Sequence, residues 1–329
     1  MVISRTSRIL LSVALFAVGF ASQAAVAQSP DDFSFAEGRT YFQAEALFLR
    51  RDNQLSNQAV VIDDATLATR LSTRSLDGDT GVGQRFLLGR LLNENSAVEV
   101  SYFGINDWQS AASVADANNL DIPDPLVGHA RDFDSADSMR VTNASNLHNV
   151  ELNWWQTISG TQSNGTSLLF GARYLHFTDV FNINSTDDDG TISDYNIRAR
   201  NNLFGAQVGA RSARNYEYWG WDAIGKAGLF GNAAEQGQFV GDNGNATVLR
   251  DTSSNRGSAA FVADLNASAT LHLTKTWSLR GGYNLMWIEG VALAGNQLDF
   301  TFDTDSGSRV SRSGGVFLHG ANVGLQARW

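Results

Sequence analysis

From Thr40 to its last residue the chain alternates apolar and polar side chains with a period of two, and helix-period stretches are missing over the same span. The clearest run is 259–273. There Ala259, Phe261, Ala263, Leu265, Ala267, Ala269, Leu271 and Leu273 interleave with Asp264, Asn266, Ser268, Thr270 and His272. Trp277, Leu279, Gly281, Tyr283, Leu285 and Trp287 then alternate with Ser278, Arg280, Gly282 and Asn284. Side chains of a strand point alternately to opposite faces, so each run has one apolar side and one polar side. The final run, Ala321, Val323, Leu325, Ala327 and Trp329 against Asn322, Gly324, Gln326 and Arg328, stays in phase to the end of the chain. A soluble sandwich alternates too, but it has no reason to stop on a Trp in the apolar phase. A barrel with lipid outside and water inside does.

The first residues assign a compartment. Arg5 and Arg8 precede an apolar run from Ile9 to Phe20, and Ala25-Val26-Ala27 supplies a small-x-small cleavage pattern. Residues 1–27 therefore read as a secretory signal peptide, 28–39 as a leader and 40–329 as the barrel. The dozen apolar residues of the signal are too few to cross a bilayer, and no later stretch approaches the roughly 20 that a spanning helix needs. The only prolines are Pro30, Pro123 and Pro125, so every candidate strand keeps all its backbone donors, which hydrocarbon demands. There is no Cys, which excludes a disulfide scaffold and a thiol nucleophile in an exported chain. The net charge is −10, and becomes −12 once Arg5 and Arg8 leave with the signal. Nucleic acid is a poor partner for so acidic a chain, and a bacterial outer-membrane location follows from the signal and the strand pattern together.

The spacing predicts strands near 40–50, 82–92, 97–108, 141–158, 167–179, 198–212, 218–232, 257–273, 277–289 and 314–329. Connections alternate between short (93–96, 160–166, 213–217, 274–276) and long (51–81, 109–140, 180–197, 233–256, 290–313). Short turns on one side and long loops on the other is the layout of outer-membrane barrels, with turns periplasmic and loops external. The expected fold is thus all-β, an antiparallel transmembrane barrel of about 10 strands. It becomes twelve if 290–313, where Leu298, Phe300 and Phe302 alternate, forms its own hairpin. Trp favours the membrane–water interface. Trp154, Trp219, Trp221, Trp277 and Trp329 fall near the predicted periplasmic strand ends, and Trp108 and Trp287 near the outer ones.

The stretches Tyr41–Leu49, Ala97–Gly104 and Trp108, Asn202–Gly209, Gly225–Asn232, Gly281–Trp287 and Gly290–Ala294 resemble the beta-barrel porin-seven family of planctomycete outer-membrane proteins. The resemblance runs through most of the chain after the signal, with the long loops unmatched. It implies an outer-membrane barrel with a transport role inferred from the fold, and it brings no catalytic residues. Insertion through the C-terminal strand by the barrel-assembly machinery is the matching expectation, with membrane lipid around the wall.

The inward face is the place for function. By register it carries Glu45, Arg85, Glu99, Glu151, Arg173, Arg211, Asp222, Lys226, Asp264, Arg280 and Arg328. These side chains either line a narrow path for small polar solutes or cations, or pair across the lumen and close it, leaving a structural or binding barrel. The second loop crowds Asp116, Asp121, Asp124, Asp132, Asp134 and Asp137, and the third has Asp187-Asp188-Asp189. Carboxylates suit divalent cations such as calcium, yet neither segment has EF-hand spacing, so no dedicated metal site or cofactor is expected. His129 is the only loop His, while His148, His176, His272 and His319 fall on strands, so no Asp–His pair is assembled at the rim and an enzyme is not expected.

Overall fold

Every one of the ten alternating segments is a strand in the computed structural model, which describes residues 40–53, 57–76 and 80–329. The expected signal peptide and leader lie outside the described residues. In chain order the strands are β1 (Thr40–Asn53), β2 (Ala59–Asp63), β3 (Thr69–Ser72), β4 (Thr80–Asn93), β5 (Ser96–Asp121) and β6 (Ala136–Gly160). They continue with β7 (Gly165–Thr186), β8 (Ile192–Asn215), β9 (Trp219–Asp242), β10 (Thr247–His272), β11 (Trp277–Val291) and β12 (Gly314–Arg328). All pairings are antiparallel, and ten strands close a ring in which β1 pairs both β4 and β12. The seam is zipped at its end by Thr40 N–H to the Trp329 carbonyl (3.1 Å) and Trp329 N–H to the Thr40 carbonyl (3.0 Å). Closure leaves no unpaired edge in the ring's membrane band, the condition for crossing hydrocarbon.

The alternation decides which face looks out. Phe204, Val208, Leu265 and Tyr283 are 67%, 55%, 49% and 47% exposed. A soluble sandwich would bury these four, so the apolar face is the lipid face.

The strands are unequal. β1, β4, β11 and β12 have 14 or 15 residues, whereas β5 to β10 have 22 to 26. Six long neighbours therefore rise past the others as a curved wall at the end opposite the turns. This corrects three expected loops: most of 109–140, 180–197 and 233–256 is strand, and the connections shrink to 122–135, 187–191 and 243–246. The reason is a change of phase. Along β7 the apolar residues facing outward are Leu168, Phe170, Ala172 and Tyr174, and beyond them the outward positions become His176, Thr178, Asn182 and Asn184. Meanwhile the inward positions become Leu175, Phe177, Phe181 and Ile183, all buried. No residue is inserted; the solvent outside changes from lipid to water, and the interior changes from polar to apolar. A search for one continuous apolar face ends the strand where its environment switches.

Two further expectations are revised. The extra pair beyond ten comes from 51–81, as the β2–β3 hairpin leaning on the end of β5 (Ile62↔Asp121), and not from 290–313. That last segment instead makes a single 3-10 turn at Ala294–Gln297 and folds into the barrel mouth, with Ala292, Leu293 and Ala294 fully buried. Trp108 is not an interface aromatic: it is 3% exposed and donates its indole N–H to the Leu49 carbonyl inside the barrel (2.7 Å). A break in the β5–β6 register between Ile105 and Trp108 turns it inward. Trp154, Trp219, Trp221 and Trp329 are exposed, and Trp277 and Trp287 are partly so.

Candidate functional site

The turn-end half of the interior is built from charges whose apolar neighbours on the same strands face lipid. Glu45 on β1 accepts from Arg280 Nε on β11 (3.0 Å) and from Arg85 on β4 (3.1 Å). The other end of Arg280 grips both carboxylate oxygens of Asp222 on β9, one of them at 2.9 Å. Beside this lies a second group: Lys226 on β9 donates to both oxygens of Glu151 on β6 (2.7 and 3.0 Å) and lies 3.3 Å from Asp264 on β10. Arg173 on β7 donates to Asp264 (2.6 Å) and lies 3.7 Å from Glu151. Asn149, Asn153 and Gln207 donate amide hydrogens to Glu151 as well. Glu99 on β5 takes the indole N–H of Trp155 (2.6 Å) and the hydroxyl of Tyr41. Arg211 and Arg328 sit near Asp222. All the sequence-selected inward charges thus meet in one layer across the lumen. A charge this far from water is tolerable only when paired and hydrogen-bonded; these contacts supply most of the partners, and Arg173 Nη2 and Arg211 Nε are buried without one among the described residues.

What remains open there is small. The cavity between Glu45, Arg85, Glu151, Lys226 and Asp264 holds about 90 Å³, room for a few waters. Next to it comes a packed apolar layer that includes Leu47, Phe103, Leu147, Phe177, Leu203, Met286, Ile288 and Leu318.

The loop-end half is sealed by chain. The buried pair Arg51–Asp179 (2.8 Å) holds the entrance, with Arg51 lying over the Phe177 ring at 5.0 Å. Asp179 also accepts from Asn143 (3.1 Å) and from the Ala294 N–H (2.8 Å), so a single carboxylate ties β1, β6 and the 292–313 segment together. Asn201 closes a two-way clasp on Ala292 (2.8 and 2.7 Å), and Gln238 donates to the Gln297 carbonyl (2.6 Å). Tyr195 donates to the Asp299 carbonyl (2.9 Å) while its oxygen accepts the Asp299 N–H (3.0 Å), and burial raises its hydroxyl to about 12. An apolar cluster joining Leu126, Phe133, Phe181, Ile183, Tyr195, Leu298 and Phe300 fills the space inside the wall. Sequence reasoning missed Arg51, Asp179, Asn201 and Tyr195 because it placed them in loops or at strand ends. Asp179 left a trace, a lone carboxylate in the inward series Leu175, Phe177, Phe181, Ile183.

Most of the acidic residues of the second loop act as fasteners. Asp132 accepts from Ser193 (2.6 Å) and the Gly244 N–H (3.0 Å); burial works against its charge, but these donors hold its carboxyl below the usual range. Asp116 pairs with Arg70 (3.0 Å), and Asp137 accepts the Asn118 N–H (3.0 Å). Carboxylate oxygens of Asp64, Asp121 and Asp134 lie within 4.8 Å of one another, as do those of Asp187, Asp188 and Asp189. In the first trio burial, followed by its acidic neighbours, pushes the Asp121 carboxyl up to about 6 against the pull of the Ser135 N–H. A carboxyl raised above its unfolded value near 4 adds stability below that value and loses it as pH rises through about 6. Asp121→Asn keeps the acceptor for Ser135 and removes the charge. The variant should therefore resist proteolysis of the 122–135 connection better than wild type at pH 7.5, with the two alike at pH 4.

The histidines are spread through the wall. His148 bonds the Tyr102 hydroxyl (3.0 Å), His176 bonds Asn202 (2.9 Å), His319 bonds the Tyr283 hydroxyl (2.7 Å), and His272 bonds Ser278 (3.1 Å). His129 stacks on Phe302 with centroids 3.9 Å apart.

Among solved structures, the chain is similar to the outer membrane protease OmpT from Escherichia coli, at 9% identity and a TM-score of 0.48 over 92% of this chain and 100% of that one. It is also similar to the translocator domain of the autotransporter NalP from Neisseria meningitidis (10%, TM-score 0.41, 98% and 96% covered). A third is a Pseudomonas aeruginosa FadL homologue (11%, TM-score 0.33, 90% and 91% covered). No curated protein matches. The family model described as "Putative beta barrel porin-7 (BBP7)" matches residues 46–329, nearly the whole ring described above. The chain belongs to that beta barrel porin-7 family of outer-membrane barrels.

Proposed function

We propose that this protein is a sealed outer-membrane barrel that anchors and displays a folded extracellular extension, and that it does not conduct solutes. The observation that carries this reading is the filling of the interior at three levels: paired charges, an apolar layer, and the inserted 292–313 segment. Ten strands enclose little more than their own side chains, and here the charges that would otherwise line a path satisfy one another. The six long strands, capped by β2–β3 and by the 122–135 connection, supply a rigid, water-facing surface where many barrels have mobile loops. The turn end is the periplasmic one, so this surface faces outward from the cell. A non-catalytic role is supported by the histidines, four of which are spent on hydrogen bonds along the strands.

Liposome swelling tests the reading. Proteoliposomes of the folded protein in an isotonic pentose should swell no faster than empty liposomes. Swelling at the rate of a general porin would restore the channel reading.

A further inference from the structure

The wall carries two neighbouring cations that form no ion pair, in a chain whose net charge is −10. Arg198 and Arg200 lie on the outward face of β8, directly beyond Asn202 and the lipid-facing Phe204, and both are exposed. Neither side chain makes a hydrogen bond or an ion pair with any described residue. Glu235 is the Cα partner of Arg200 on β9, yet no ion pair forms between them. The two arginines line a cleft of about 240 Å³ that reaches across β9 to Ser253 and Asn255 on β10. A separate cleft of about 510 Å³, which holds Arg256 and Arg309, opens on the inward side of the same strands, against Gln238, Gln297 and Leu298. The acid there, Asp299, already accepts from the Thr301 and Gly307 N–H groups (both 2.9 Å). On the outward face two guanidinium groups, Arg198 and Arg200, thus stand with Glu235 as the one acid lining their cleft, its carboxylate in no ion pair with a described residue.

The surface below this pair is shaped unlike the rest of the belt. Between the arginines and the membrane centre, β9 and β10 face outward with Gly231, Ala233, Gly257 and Ala259, which leaves a trough beside the Phe204 and Phe261 rings. Lower on the same strands an apolar groove of about 620 Å³ runs between Phe170 and Leu265. A phosphate with its guanidinium partners at the water boundary, and an alkyl chain in a groove beneath, is the anatomy of a phosphorylated lipid. A free phosphate would use only the upper half.

We propose that the outward face of β8–β10 binds a phosphate-bearing lipid of the outer leaflet, with its phosphate on Arg198 and Arg200 and an acyl chain in the small-residue trough. The inference rests on outer-membrane placement of the family and not on whether the lumen is sealed. Both arginines are exposed, so removing them leaves the core untouched.

The full barrel, folded in phosphatidylcholine vesicles, is heated, and loss of its compact gel band gives an unfolding temperature. Adding bisphosphorylated lipid A should raise that temperature in wild type, while dephosphorylated lipid A and inorganic phosphate should not. R198Q/R200Q should fold normally in phosphatidylcholine and need at least about tenfold more lipid A for the same rise, as expected for two lost charge-assisted contacts. An equal rise with dephosphorylated lipid, with inorganic phosphate, or in R198Q/R200Q would overturn the proposal. The two lipid arms need no variant, so a folding defect in R198Q/R200Q would not spare it.

Discussion

Arg280→Met is expected to lower the unfolding free energy of the barrel in lipid vesicles by about 3–5 kcal/mol, read from urea titration. Arg280 is 5% exposed, and its three nitrogens serve Glu45 and Asp222 from opposite sides. Removing it strands two carboxylates in a space with no bulk water. Glu45 keeps Arg85 at 3.1 Å, whereas Asp222 loses both donors of a bidentate grip. Most of the loss should therefore trace to Asp222. Two companions make the cause visible. Arg280→Lys retains charge without the planar fork and should fall between wild type and Arg280→Met. Combining Arg280→Met with Asp222→Asn removes the carboxylate left without its donors, keeps Glu45 for Arg85, and should recover most of the stability. If the double variant is no better than the single one, packing of the guanidinium matters more than its charge.

The second large effect is expected at the loop end. Asp179→Ala removes the shared acceptor of Arg51, Asn143 and the Ala294 N–H, leaving Arg51 buried against Phe177 with its ion pair gone. A buried cation without its partner costs about 3–5 kcal/mol, and the cheapest relief is to let water in by releasing the 292–313 segment. The variant should thus become sensitive to protease at arginines such as Arg309 and Arg312, while the folded gel mobility of the ring persists. Uniform loss of ring and segment together would mean the segment is integral to the barrel and not a separable plug.

The membrane part of this fold was legible because lipid imposes a single rule, apolar outward, on every strand. The inward charges were legible for the same reason: Glu151, Arg173, Lys226 and Asp264 occupy the only phase left to them. Their pairing was not. Glu45 and Arg280 are 235 residues apart, and whether they touch depends on lumen width, which one strand's pattern does not encode. The extended wall was hidden by the phase change at Tyr174–Phe177, where apolar residues move from the even to the odd positions of β7 without any break in the strand. Trp108 was misplaced by one register break in β5. The plug was misread because Leu298, Phe300 and Phe302 alternate like a hairpin; Leu298 and Phe300 pack inside the wall, while Phe302 stacks on His129.

Single-channel recording in planar lipid bilayers tests the sealed interior most directly. Folded wild-type protein, its insertion verified by heat-modifiable mobility, should give no discrete current steps in symmetric salt at moderate voltage. Reproducible steps whose ion selectivity changes when Glu151 and Asp264 are neutralised would contradict the account and make the charged layer the wall of a channel.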